Sequence, residues 1–326
     1  MKSRGLKNFL MVLILFAFAG QNAMAQAIKV DPAIPHYKKT RGIRGNANSI
    51  GSDTMNNLMT LWLEAFRKYY PMVNIQIEGK GSSTAPPALI SGTAQFGPMS
   101  RRMKHKELDA FEKKYGFKPT TIRTSLDALA VFVNKDNPLT CLPLEKVDAI
   151  FSKTRKRGYP EDITTWGQLG LKGEWANKPI SIYGRNSASG TYGFFKEHTL
   201  KKGDYKDQVK EQPGSASVVQ GITEDKYGIG YSGVGYRTSG VKILQLSRKA
   251  GAPCYDGSYK NVISRKYPLA RYLYLNVVKA PTKPLNPMVR EFLKFVLSYE
   301  GQQIVIKDGY LPLPYKVVKE ELAKLQ

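Results

Sequence analysis

The chain has 326 residues, 42% of them apolar, and its 50 Lys+Arg against 26 Asp+Glu give a formal charge of +24. That apolar content excludes wholesale disorder, and the length allows one to three domains. Two cysteines exclude a disulfide-dense scaffold or a cysteine-rich zinc cluster, and three scattered histidines, His36, His105 and His198, leave little for a zinc or copper site.

Residues 1–25 carry Lys2, Arg4 and Lys7, then an apolar run from Phe9 to Ala19, then Ala23-Met24-Ala25. A basic start, a short apolar stretch and a small-residue cleavage site are the layout of a secretory signal peptide. The run is too short to span a bilayer, which needs about 20 residues. Cleavage after Ala25 removes three cations and no acid, taking the charge from +24 to +21. The mature chain is then expected in a periplasm, as a soluble protein. That compartment oxidises thiols, so Cys141 and Cys254 are candidates for a disulfide. Their pairing stays open at this level, because it needs Cα atoms within about 7 Å.

Residues 26–40, with Pro32 and Pro35, read as a loose lead-in. Met55, Leu58, Met59, Trp62, Phe66 and Tyr69 recur every three or four positions and predict an amphipathic helix over 53–69, stopped by Pro71. Val73, Ile75 and Ile77 alternate with polar residues, a strand. Gly79 to Gly81 turn the chain, and Ser82, Ser83 and Thr84 can cap a helix with Pro86 and Pro87 in its first turn. A short strand running into a basic turn follows at 94–102, an exposed helix at 104–115 and an apolar strand at 126–134. Helices are predicted at 144–151, 190–200 and 215–224, with strands at 180–183, 228–232 and 271–278. Helices at about 286–298 and 299–308, and one from 316, complete the pattern. Strand and helix alternating throughout predict an α/β fold with mostly parallel sheets. Ligands on such sheets bind beyond the carboxyl ends of strands, where helix N-termini point.

Three strand-to-helix turns carry one chemistry. They are Ser49-Ile50-Gly51-Ser52-Asp53-Thr54, Gly79-Lys80-Gly81-Ser82-Ser83-Thr84 and Tyr183-Gly184-Arg185-Asn186-Ser187-Ala188-Ser189-Gly190-Thr191. Each offers hydroxyls and free backbone N–H groups at a helix start, where the dipole favours negative charge. Arg185 adds a planar fork suited to a tetrahedral oxyanion. One such turn is an ordinary helix cap; three on the same side of βα units, one with an arginine, predict an oxyanion site. Ser100 and Arg101, in the 94–102 stretch, are expected to reach the same cleft, and Arg102 to lie in a solvated loop.

These residues resemble the PstS-like branch of the type II periplasmic binding proteins, the phosphate-binding components of ABC importers. The resemblance runs from about residue 42 to 315. Arg185 with Ser189-Gly190-Thr191 looks like that family's phosphate grip, Gly81-Ser82-Ser83 like its second-loop serine turn, and Gly51-Ser52-Asp53-Thr54 occupies the place of its first loop. The resemblance implies a two-lobed fold, each lobe a mostly parallel sheet flanked by helices, joined by two crossing segments near 126–135 and 262–275. It implies lobe one at 41–130 plus 265–326 and lobe two at 131–264. It also implies a monomer that delivers phosphate to an inner-membrane ABC permease, with no cofactor, metal or nucleic acid. The implied ligands are Asp53, Thr54, Ser82, Ser100, Arg185, Ser189, Gly190 and Thr191. One departure matters. Well-known members have, 18 residues beyond the loop serine, an acid that accepts the phosphate proton; here that position is Ser100. Asp53 is the neighbouring acid, and either takes that role or merely caps its own helix.

Two other readings stay in view. Hydroxyl-rich loops suit sulfate, arsenate or molybdate as well. The charge also fits a basic envelope protein that binds polyanions. An enzyme is disfavoured: there is no G-x-S-x-G elbow and no cluster of acids and histidines at metal-ligand spacing.

Overall fold

A computed structural model describes residues 28–326. The signal-peptide reading, residues 1–25, lies outside the described residues. Among those described, no helix is long and apolar enough to cross a membrane.

The first lobe begins with β1 (Gly45–Ile50), α1 (Asn56–Tyr69) and β2 (Val73–Glu78). β1 and β2 pair in parallel, and a single bridge from Ser49 to Phe96 ties them to the chain entering β3 (Gly97–Met99). Between β2 and β3 lies α2 (Ala85–Ser91), and α3 (His105–Tyr115) follows. β4 (Thr120–Asn134) is a 15-residue strand that serves both lobes. Its first half pairs antiparallel with β11 (Ala270–Val277), which also carries β3; its second half pairs with β8 (Gly228–Gly233).

The second lobe holds β5 (Cys141–Pro143), α4 (Leu144–Phe151), β6 (Ser181–Arg185), α5 (Gly190–His198), β7 (Lys210–Gln212) and α6 (Ser215–Glu224). β6 lies parallel to both β7 and β8. Two short strands, β9 (Val241–Ile243) and β10 (Gln245–Ser247), pair with β4 and β5. After α7 (Tyr259–Ile263), β11 returns the chain to the first lobe, where α8 (Pro287–Val296), α9 (Tyr299–Lys307) and α10 (Tyr315–Ala323) pack. The fold is therefore α/β and two-lobed with mixed pairing: β1–β2, β5–β10, β6–β7 and β6–β8 pair in parallel, whereas β3–β11, β11–β4, β4–β8 and β4–β9 pair antiparallel.

Each lobe has its own aromatic support. In the first, α1 buries Leu58, Met59, Trp62 and Phe66, with Phe66 edge-on to Phe292 of α8 at 5.3 Å and the Trp62 indole N–H donating to Gly301 O at 2.9 Å. In the second, Phe195 stacks on Tyr231 at 3.9 Å, with Phe151 against both. Aromatic pairs of this kind each add about 0.5–1.5 kcal/mol beyond their burial.

Two expectations change here. Residues 28–40 are docked rather than loose: Val30 and Ile34 are buried, Tyr37 N–H donates to Glu300 Oε2 at 2.8 Å, and His36 pairs with Glu300 Oε1 at 2.7 Å. The open question of the cysteines is resolved by β5 and β10, which lie side by side; Cys141 and Cys254 are joined in a disulfide with Cα atoms 6.3 Å apart.

Candidate functional site

In the first lobe, three turns are laced together at the ends of β1, β2 and β3. Gly51 N–H donates to Glu78 O at 3.0 Å, Ser52 N–H to Pro98 O at 2.8 Å, and Gly81 N–H to Gly51 O at 2.7 Å. Gly51 is required there, because a Cβ would lie 2.2 Å from Pro98 O. Gly81 has φ +120°, a conformation that side chains disfavour.

In the second lobe, β6 ends at Arg185, whose backbone N–H donates to the Tyr231 hydroxyl at 3.2 Å. The aromatic stack therefore fixes where the guanidinium starts. Ser189 caps α5, its Oγ accepting from Thr191 N–H at 3.1 Å and Tyr192 N–H at 3.3 Å.

The lobes meet at these turns. Thr54 Oγ1 lies 2.9 Å from Thr191 Oγ1, Ser100 Oγ lies 3.5 Å from Thr191 Oγ1, and Ser82 Oγ lies 3.2 Å from Ser100 Oγ. Ser83 N–H donates to Ala188 O at 3.1 Å, and Arg185 Nη1 sits 3.0 Å from Asp53 Oδ2. All eight residues singled out from the sequence thus converge, and Thr54, Ser82, Ser100, Arg185, Ser189 and Thr191 are each at most 2% exposed. Gly190 lets the α5 backbone approach Ser82 closely: a Cβ there would lie 2.2 Å from Ser82 Oγ and 2.8 Å from Ser82 Cβ. Gly190→Ala should hold the lobes apart and weaken ligand affinity about tenfold or more, read by titration calorimetry, while the melting curve stays cooperative.

Arg101 reaches the cleft as expected: it lines a cavity that borders the cluster and donates from Nη2 to Ser83 Oγ at 3.2 Å, while both ends of its fork grip Glu107 at 2.7 and 2.8 Å. Burial works to raise the Glu107 carboxyl, but the Arg101 hydrogen bonds and charge outweigh it and hold the group below its usual range. Arg102 is exposed, as expected.

The hydrogen-bond directions define the chemistry. Backbone amides and guanidinium groups only donate, so any hydroxyl they approach must accept from them. Ser82 Oγ accepts from Ser100 N–H at 3.0 Å, Ser189 Oγ from two amides, and Thr191 Oγ1 from Arg271 Nη2 at 3.0 Å. Each hydroxyl keeps its own proton to give. Two further buried groups, Ser52 Oγ and Arg185 Nε, have no hydrogen-bond partner among the described residues. Leaving such a group unpaired costs about 1–3 kcal/mol. Arg185 also donates from Nη1 to Ser215 Oγ at 2.6 Å and from Nη2 to Pro213 O at 3.1 Å. Burial pushes its guanidinium pKa down, and the Asp53 charge opposes that.

Asp53 is the acceptor in this donor-rich set. Its carboxylate does not cap its own helical turn. Oδ2 instead crosses the cleft and accepts from Ser215 N–H at 2.8 Å, capping α6 from the opposite lobe. Oδ1 has no hydrogen-bond partner among the described residues. The Asp53 and Thr54 carbonyls accept from Tyr236 Oη at 2.9 Å and Tyr310 Oη at 2.8 Å. Burial raises both phenols above their usual range, so they stay protonated donors. Ser215, Arg271 and its partner Asp127 were not among the residues expected from sequence.

A cavity of about 850 Å³ borders the cluster, with Ser100, Ser189 and Arg271 among its walls and Arg102, Lys104 and Lys202 around it.

Comparison with known proteins places the chain in a family. The PBP superfamily domain profile matches residues 39–300. The phosphate-binding protein PstS of Pseudomonas aeruginosa is 54% identical over 316 residues, covering 97% of this chain and 98% of that protein. A phosphate-binding protein PstS of Staphylococcus haemolyticus is 29% identical, covering 88% of this chain and 87% of that protein. Among solved structures, a Clostridium perfringens protein with bound phosphate superposes with a TM-score of 0.70 at 23% identity, covering 83% of this chain and all of that one. An ABC-type phosphate transport receptor of Vibrio cholerae gives 0.63 at 20% identity, covering 82% of this chain and all of that one. The chain belongs to the periplasmic binding protein superfamily and, within it, to the PstS family of phosphate-binding proteins.

Proposed function

We propose that this protein captures inorganic phosphate between its lobes and delivers it to an ABC-type importer in the membrane. It is a binding protein, not an enzyme. The observation that carries the reading is the convergence of the donors Thr54, Ser82, Ser100, Arg185, Ser189 and Thr191 on one buried cluster, with the Asp53 carboxylate set beside Arg185 as an acceptor. An oxyanion taken out of water must recover its hydration from protein donors, and such an array supplies them. The orphaned Arg185 Nε and Ser52 Oγ would gain a partner in the same step. The names of the relatives support phosphate as the ligand.

On this reading lobe one comprises 41–130 and 265–326, lobe two comprises 131–264, and β4 and β11 form the hinge. Binding closes the cleft by a hinge motion. The basic cavity beside the site is the approach: cations at a cleft mouth raise the local anion concentration and the association rate. The protein acts as a monomer in the periplasm, released there by signal-peptide cleavage, and presents its closed lobes to the permease.

The test is calorimetric titration of phosphate into mature protein stripped of ligand by unfolding and refolding, with sulfate as competitor. One tight site that sulfate does not displace is the expected result. Binding that vanishes at moderate salt, or equal affinity for sulfate, would overturn it in favour of a polyanion or general oxyanion binder.

A further inference from the structure

We propose that Arg271, held by Asp127, is a positioning residue that clasps the two lobes and fixes the direction of the Thr191 hydroxyl; this rests on the phosphate reading above. Arg271 and Asp127 face each other in register across β11 and β4, the two strands that cross between lobes. Their side chains are 2% and 0% exposed, with Nη2 2.7 Å from Asp127 Oδ2 and Nε donating to the same oxygen at 2.8 Å. The remaining donors divide between the lobes. Nη1 donates to Ser100 O, just beyond β3, at 2.9 Å, and Nη2 donates to Thr191 Oγ1, in the first turn of α5, at 3.0 Å. Asp127 Oδ1 accepts from Val234 N–H, which follows β8, at 3.0 Å. The guanidinium carbon also lies 5.2 Å from the centre of the Phe194 ring on α5.

Two consequences follow from donor chemistry. A guanidinium never accepts, so Thr191 Oγ1 must present a lone pair to Arg271 and aim its proton elsewhere, toward Thr54 Oγ1 or an anion in its place. Parting the lobes separates Ser100 from Thr191, and one fork cannot follow both. A charge-assisted bond made only in the closed form stabilises that form, and a ligand trapped there leaves more slowly. Arg271 therefore acts on residence time through Thr191 and Ser100.

Asp127 would be left buried and unpaired by Arg271→Met, a change that risks the fold. Arg271→Lys keeps the charge and loses the fork, and Asp127→Asn with Arg271→Met keeps the pair neutral. Phosphate association and release are measured by stopped flow, alongside thermal melts. Both variants should melt cooperatively, keep association within about threefold and release phosphate at least about tenfold faster, since interface changes fall mainly on dissociation. In a Thr191→Val background, Arg271→Lys should add less than about twofold, because the acceptor is already gone. Wild-type release from Arg271→Lys, or its full effect persisting beside Thr191→Val, would overturn the clasp. Failure of wild-type protein to bind phosphate would instead sink the functional reading itself.

Discussion

Arg185→Met should weaken phosphate binding by at least about 30-fold, roughly 2 kcal/mol or more, in a titration of the ligand-free protein. The size of the effect comes from burial. Arg185 is 1% exposed and its Nε has no partner among the described residues, so that donor is fully desolvated and available to an anion. Its other nitrogens are spent on Ser215 Oγ, Pro213 O and Asp53 Oδ2, which hold the fork in one orientation. Arg185→Lys is the informative companion. It keeps the charge but cannot make those contacts together, so it should recover only part of the loss. A dissociation constant within about threefold of wild type in Arg185→Met, with a cooperative melt, would reduce Arg185 to a structural link between lobes.

Why the site was legible follows from locality. Each of the three turns is a short sequence whose glycines, hydroxyls and helix start lie within a few residues, so composition and order reveal it. Helical periodicity was equally local: α4 and α6 fall where the apolar spacing puts them. β1 was missed because Gly-Asn-Ala-Asn-Ser-Ile has almost no apolar alternation; its inward residues are Ala47 and Ser49, buried by neighbouring strands. β4 was read only from 126, because Thr120 to Ser125 looks polar, yet Thr124 and Ser125 are buried beside β11. The Arg271–Asp127 pair depends on register between strands separated by 144 residues, which no local pattern carries. A faint signal did exist: Asp127 and Arg271 are charges set in the apolar stretches 126–134 and 271–278, and buried charges are kept only when paired. Asp53 shows the opposite limit. Its place at a helix start invited a capping role, and it does cap a helix, but the one across the cleft.

That placement yields the sharpest expectation. Asp53→Asn should reduce the ratio of phosphate to sulfate affinity by at least about tenfold, measured by paired titrations. Phosphate keeps a proton near neutral pH and sulfate does not. Asp53 Oδ1 can accept the proton of phosphate, but it faces an oxygen of sulfate with nothing between them. An asparagine in this position has its orientation dictated by its neighbours. Ser215 N–H at 2.8 Å and Arg185 Nη1 at 3.0 Å both donate toward the place of Oδ2, so the amide oxygen turns to them and the amide NH₂ turns to the ligand. The one acceptor becomes a donor, which suits the bare oxygens of sulfate and leaves the phosphate proton unpaired. Loss of the negative charge strengthens both anions alike and cancels in the ratio. The cap on α6 survives, so any change in selectivity reports the oxygen at Oδ1 and not a loosened lobe contact. An unchanged ratio would mean that Asp53 serves only to join Arg185 to the α6 terminus, and that the phosphate proton is accepted elsewhere.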